Sequence, residues 1–325
     1  MSPLLLNLLL LIGGIAVLYI GAEWLVRGAA RMAASLGLSP IVVGLTVVSL
    51  GTSAPELAVC VLAAVRGDPD IAMGNVMGSN LANVGLILGL TALVRPLQVA
   101  GRVVAREVPL MLVATGLLYP LILDGRVGRL DGMILLVLMA FYLVFVFRSV
   151  EEEPPEVLGE YERFAMEAQH TATRLRPQDV LLVVAGSAGL VVGGTSIVGS
   201  AEYIAVEMGI SQLVISLTII AIGTSLPELA TSLVAALRSE ADIAVGNIIG
   251  SNIFNIGMIL GLTSLVEPVQ VNHQVLTAYL PAVLLMAIIL VPVARAAFCI
   301  RRWEGAILLA TYCVLMSWLI RIGVF

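Results

Sequence analysis

Two glutamates stand inside segments that are otherwise almost wholly apolar, and each has the same setting. Gly51-Thr52-Ser53-Ala54-Pro55-Glu56 recurs, 172 residues later, as Gly223-Thr224-Ser225-Leu226-Pro227-Glu228. A carboxylate in the middle of an apolar spanning helix costs about 2.5–3.5 kcal/mol on insertion scales, so it requires a compensating charge. Neither glutamate has an arginine within its apolar segment, which disfavours a structural salt bridge and points to mobile cations. Pro55 and Pro227 lack an N–H, so the carbonyls of Gly51 and Gly223 lose their helical partners. Freed carbonyl oxygens lining a cavity are suitable ligands for hard cations. Beyond each break Thr52 and Ser53 lie four and three residues before Glu56, so hydroxyls and carboxylate share one helix face, and Thr224, Ser225 and Glu228 reproduce that face. The next apolar segment of each copy adds Asn75, Ser79, Asn80 and Asn83, matched by Asn247, Ser251, Asn252 and Asn255. Gly74, Gly78, Gly85 and Gly89, with Gly246, Gly250, Gly257 and Gly261, form small-residue rows that let helices approach closely.

The elements that must hold these groups are spanning helices. The chain of 325 residues is 60% hydrophobic and 12% charged, with mean hydropathy +1.07, far from globular averages. Apolar runs of about 20 residues recur, each long enough to cross a bilayer, and the shorter alternating segments of a membrane β-barrel are absent. Ten spans are predicted, at 4–26, 40–65, 71–94, 103–123, 130–148, 178–206, 212–237, 243–266, 275–294 and 303–323. The first lacks a basic flank and a small-residue cleavage site, and reads as a span rather than a cleaved signal. Between the fifth and sixth lies an acidic linker, 149–177, with Pro154-Pro155, seven glutamates and room for one surface helix over 160–169. It lacks the ligand spacing of an EF-hand loop and reads as a solvated charge run. Cys60, Cys299 and Cys313 show no metal-type spacing and read as small apolar residues. No basic stripe with interleaved aromatics suggests nucleic-acid binding.

Aligned without gaps, residues 44–99 and 216–271 are identical at 32 of 56 positions, which is the mark of duplication. The fold expected is therefore an all-α integral membrane protein of ten transmembrane helices in two five-helix repeats, 1–148 and 178–325, with the duplicated regions at 40–99 and 212–271 and broken helices within them. Five spans per half force the second half in upside down. Among the 17 basic residues, all arginine, thirteen fall on one side of this arrangement and Arg66, Arg126, Arg129 and Arg321 on the other. Positive charge accumulates on the cytoplasmic side, which predicts both termini outside and the linker in the cytoplasm of a multi-pass cell-membrane protein. Glu23, Glu107 and Glu202 fall near span ends and are expected to snorkel to the interface. His170 and His273 lie in polar segments and are expected to be solvated.

The pair GTSAPE and GTSLPE, each followed about twenty residues on by GNVMGSNLANVG or GNIIGSNIFNIG, resembles the two α-repeats of the sodium/calcium exchanger family within the cation/calcium antiporter superfamily, in its prokaryotic type without a regulatory domain. The resemblance implies a secondary antiporter rather than an enzyme, with no cofactor, carrying Ca²⁺ and Na⁺. It implies that Glu56 and Glu228 are shared central ligands, that Thr52, Ser53, Thr224 and Ser225 supply hydroxyl and carbonyl oxygens, and that Ser79, Asn83, Ser251 and Asn255 complete outlying sodium sites. Family members often carry aspartate at one of the positions of Asn83 and Asn255; this chain has asparagine at both. The resemblance also implies alternating access by movement of the first and sixth spans. Independently of it, two ionised glutamates balance one Ca²⁺ or two Na⁺, so a third Na⁺ would make exchange electrogenic. Proton-coupled antiport is the alternative, disfavoured because the GN-x-x-E motif of such relatives is absent; a cation channel is a remoter one. Small cations and the bilayer are the only partners expected, and a monomer suffices.

Overall fold

A computed structural model describes residues 2–148, 175–208 and 223–322. Most of the acidic linker, the expected helix at 160–169, His170 and the first half of the seventh span lie outside the described residues. The rest is almost entirely helical: α1 (Pro3–Leu36), α2 (Pro40–Thr52), α3 (Ala54–Arg66), α4 (Pro69–Val94), α5 (Val103–Leu121), α6 (Arg129–Arg148), α7 (Pro177–Glu207), α8 (Leu226–Leu237), α9 (Ala241–Val266), α10 (Val275–Arg295) and α11 (Arg302–Arg321). Eight of these are long and apolar enough to span a membrane, and the bent pair α2–α3 makes nine; the count of ten turns on residues 209–222, before α8.

Burial sorts the helices into layers. In their most apolar stretches α9 is 94% and α4 78% buried, against 17% for α1, so α4 and α9 form the centre and α1 the rim. Large apolar side chains such as Phe141, Leu130 and Val314 point outward from α6 and α11, as a hydrocarbon surround requires. Two short antiparallel ribbons tie the halves together at their ends: β1 (Leu97–Gln98) pairs with β4 (Cys299–Ile300), and β2 (Arg126–Val127) with β3 (Val269–Gln270).

The long rim helices pack on each other antiparallel through glycine. Gly14, Gly21 and Gly28, spaced by seven, bring α1 against Gly193, Gly186 and Asp179 of α7 so closely that a methyl at Gly21 would sit 2.9 Å from the Gly186 carbonyl oxygen. Without side chains between them, backbone contact replaces interdigitation. The small-residue rows of the duplicated regions serve the same end: Gly246 and Gly250 meet α2, Gly85 and Gly89 meet α11, and Gly257 and Gly261 meet α6. Among the described residues nothing lies within 4 Å of a Cβ built at Gly74 or Gly78.

Two of the three glutamates expected to snorkel are instead engaged. Glu23 pairs with Arg27 at 2.7 Å and with Arg238 at the end of α8, which links the rim helix to the centre. Glu107 is wholly buried, 3.7 Å from Arg102 Nε, and accepts from the Tyr142 hydroxyl at 3.4 Å. Tertiary packing overrides its position near a span end, because α6 covers the start of α5. Replacing Arg102 by Met is expected to lower stability by about 3 kcal/mol in chemical denaturation, since it leaves a buried carboxylate without its closest cation.

Candidate cation site

The chain breaks where the motif predicts. Ser53 (φ −84°, ψ 8°) leaves helical geometry between α2 and α3, which meet at 46°, with Pro55 in the first turn of α3. Ser225 (φ −88°, ψ 5°) does the same ahead of α8, with Pro227 in its first turn. Glu56 and Glu228 thus sit in the first turns of α3 and α8, where the unpaired N–H groups and positive dipole ends favour a carboxylate. Both are 1% exposed, and they are near enough for their charges to interact.

Around them the two halves exchange hydrogen bonds in reciprocal pairs. Thr52 donates to Asn247 Oδ1 at 3.0 Å, and Thr224, 172 residues on, donates to Asn75 Oδ1 at 3.3 Å. Asn83 donates to Asn252 Oδ1 at 3.1 Å, and Asn255 donates to Asn80 Oδ1 at 2.9 Å. Asn75 in turn donates to Cys60 Sγ at 3.2 Å, and Asn247 to Ser232 Oγ, the matching position, at 3.1 Å. Ser53 donates to Glu228 Oε1 at 2.9 Å and lies 3.1 Å from Ser251 Oγ; Ser225 Oγ lies 3.3 Å from Ser79 Oγ. All ten residues singled out from the sequence therefore meet in one polar layer, nine of them buried and Thr224 half-buried.

What the layer leaves unpaired is informative. Among the described residues, both carboxylate oxygens of Glu56, Oε2 of Glu228, and Oδ1 of Asn83 and of Asn255 are buried without a hydrogen-bond partner. Buried acceptors left bare in this way cost free energy, and here every one is an oxygen. An array of carboxylate, amide and hydroxyl oxygens suits hard cations such as Ca²⁺ and Na⁺ and offers no soft ligand. Asn83 and Asn255 can present Oδ1 inward because their NH₂ groups are engaged by Asn252 and Asn80.

Three features of the site were not expected from the sequence. Asn83 and Asn255 each open a π-helical turn, at Asn83–Ile87 and Asn255–Leu260, and further ones lie at Gly44–Val48, Val103–Glu107 and Val275–Tyr279. Such turns shift the side chains that follow around the helix and cluster at functional sites. Asn80 and Asn252, noted only as polar neighbours, orient the amides of the other half. Met111 of α5 approaches from outside the duplicated regions, its sulfur accepting from Asn252 Nδ2 at 3.3 Å. No motif or spacing marks Met111; only the packing of α5 on α9 brings it there.

Comparison with known proteins identifies relatives along nearly the whole chain. A profile of the sodium/calcium exchanger protein family matches residues 6–148 and 179–321. The inner membrane protein YrbG of Escherichia coli is 39% identical over 292 residues, 88% of this chain and 87% of its own. The sodium/calcium exchanger MaX1 of Methanosarcina acetivorans is 30% identical over an alignment of 336 positions, gaps included, that covers 94% of this chain and 96% of its own. A solved structure of the sodium-calcium exchanger NCX_Mj, soaked in Na⁺ and Sr²⁺, superposes with TM-score 0.82 at 31% identity, covering 98% of this chain and 99% of that one. A motif found twice, the oxygen layer it builds and a match along nearly the whole length lead to one conclusion: the chain belongs to the sodium/calcium exchanger protein family.

Proposed function

We propose that the protein exchanges Ca²⁺ for Na⁺ across a cell membrane by alternating access, with Glu56 and Glu228 as ligands common to both ions. The bare oxygens of Glu56, Glu228, Asn83 and Asn255 carry this reading, because cations are the partners they lack. Thr52, Ser53, Thr224 and Ser225 supply further oxygens beside the glutamates, while Ser79, Asn83, Ser251 and Asn255 form the flanking sodium positions. Two carboxylates neutralise one Ca²⁺; since both ions need the same pair, they exclude each other, and the site left with two uncompensated charges resists crossing empty. A third Na⁺ makes the cycle electrogenic. With asparagine at both 83 and 255, sodium is held there by neutral oxygens, so that corner contributes no proton.

The remaining features fit the same scheme. The glycine seam lets α1 and α7 shift as a pair against the centre, with the Glu23–Arg238 contact made in one arrangement. The arginine distribution supports an orientation with the termini outside and the 149–177 linker in the cytoplasm, and the proposed ligands all come from one chain. In proteoliposomes, ⁴⁵Ca²⁺ uptake is expected under an outward Na⁺ gradient and not under H⁺ or K⁺ gradients. Uptake driven by a pH gradient alone would instead establish proton coupling, and single-channel currents would establish a pore.

Met111 gives this reading a finer test. Met111→Leu keeps the volume but removes the acceptor for Asn252, and so loosens the amide that positions Asn83. The expected outcome is a rise of a few-fold in the Na⁺ concentration for half-maximal exchange, with a smaller change for Ca²⁺, whose central ligands are untouched. Equal weakening of both ions would show a general packing effect.

A further inference from the structure

We propose that a groove between α5, α6 and α9, distinct from the cation site, holds one acyl chain of an anionic phospholipid whose phosphate pairs with Arg106. The groove encloses about 290 Å³ and is lined almost wholly by apolar side chains, including Leu110, Ala114 and Leu117 of α5, Leu138 and Phe145 of α6, and Ile256 of α9. From Leu110 to Leu117 it follows α5 for about 10 Å, the scale of an extended stretch of lipid tail. Its walls are open sideways, with Phe141 69% and Val113 57% exposed, so a chain enters from the bilayer without crossing protein.

Charge at one end selects the kind of lipid. Arg106 stands one helical turn before Leu110, and its guanidinium carbon lies 4.5 Å above the ring of Phe145, which also forms the groove wall. The ring holds the guanidinium beside the groove. The residue is half-buried; among the described residues its side chain has no hydrogen-bond acceptor, and the neighbouring carboxylate, Glu107, which feels its charge, lies nearest Arg102 and accepts from Tyr142. A half-buried cation with no hydrogen-bond acceptor among the described residues, beside an apolar slot, is complementary to a phosphate carrying an acyl chain. The back of the groove is Ile253, Ile256 and Gly257 of α9, the helix that also carries Ser251 and Asn255. A bound tail therefore braces the helix that carries half of the oxygen layer.

The test uses the full chain, purified in detergent and given dioleoyl phosphatidylglycerol, dioleoyl phosphatidylcholine or inorganic phosphate, with lipid retention read by native mass spectrometry. Phosphatidylglycerol is expected to be retained about fivefold better than phosphatidylcholine, the advantage of one arginine at an anionic headgroup, with no competition by phosphate at equal concentration. Arg106→Gln is expected to abolish that preference while Na⁺-driven Ca²⁺ uptake in phosphatidylcholine vesicles persists. Ala114→Phe, which fills the slot, is expected to lose retention of both lipids. Equal retention of the two lipids by the unaltered chain, an unchanged preference in Arg106→Gln, or displacement of phosphatidylglycerol by phosphate alone would each overturn the proposal. Should Ala114→Phe fail to fold, Arg106→Gln decides it alone.

Discussion

Replacing either Glu56 or Glu228 by glutamine is expected to reduce Na⁺-driven Ca²⁺ uptake at least about 100-fold while leaving the protein folded. The two carboxylates lie in the first turns of α3 and α8, both buried, and neither takes part in an ion pair among the described residues. Removing one halves the charge that opposes a divalent ion. Even at an effective dielectric of about 20, losing one unit charge at 4 Å from Ca²⁺ forfeits several kcal/mol, well beyond the roughly 2.7 kcal/mol that a 100-fold change represents. Stability is expected to move the other way: glutamine removes a buried charge that has a like charge nearby, so the melting temperature in ion-free detergent should be unchanged or higher. A variant that keeps ordinary uptake would remove the carboxylates from the transport path. One that loses uptake together with its melting transition would assign them a structural role. Single replacements are the decisive ones, because a double variant loses the reciprocal comparison between the halves.

The second large effect is expected at the rim. Gly186→Val places a side chain where a Cβ already meets Leu25 N at 2.5 Å and the Gly21 carbonyl oxygen at 2.7 Å. Those are backbone atoms of α1, which cannot rotate away, so the two helices must part. The expected loss is about 3 kcal/mol or more, seen as a clear fall in melting temperature, with exchange lost wherever the pair must move as one. Gly13→Val is the control, since a Cβ there meets nothing within 4 Å. Helix propensity changes alike in both variants, so a difference between them isolates the seam.

Much of the site was legible because its chemistry is at odds with its surroundings. A glutamate, two hydroxyls and a proline in an apolar run are not explained by bilayer or core packing, and their recurrence 172 residues later marks them as a duplicated unit rather than a chance cluster. All ten residues so identified meet in the polar layer, and both breaks occur at the serine before the motif's proline. Reading Glu107 as an interfacial residue failed for an instructive reason. Arg102 and Arg106 precede it in sequence and look like a membrane boundary, yet Tyr142 of α6 covers it, and Arg102 is its nearest cation instead. Hydropathy records how a residue is solvated when it stands alone and carries no information about which distant helix lies over it.

Composition, duplication and the two motifs were sufficient to determine an all-helical membrane protein and its family, and to single out the oxygen-bearing residues proposed as ligands, because each of these depends on residue type and local spacing. Which amide faces which was decided only by tertiary structure. Asn83 reaches Asn252 and Asn255 reaches Asn80 across 169 and 175 residues, through π-helical turns that no hydrophobic period announces, and Met111 completes the set from a helix outside the motif. Hydrogen bonds of that kind depend on the rotation and depth of one helix against another, to within a fraction of a turn, and glycine seams and backbone turns set those quantities only when all the helices are packed together.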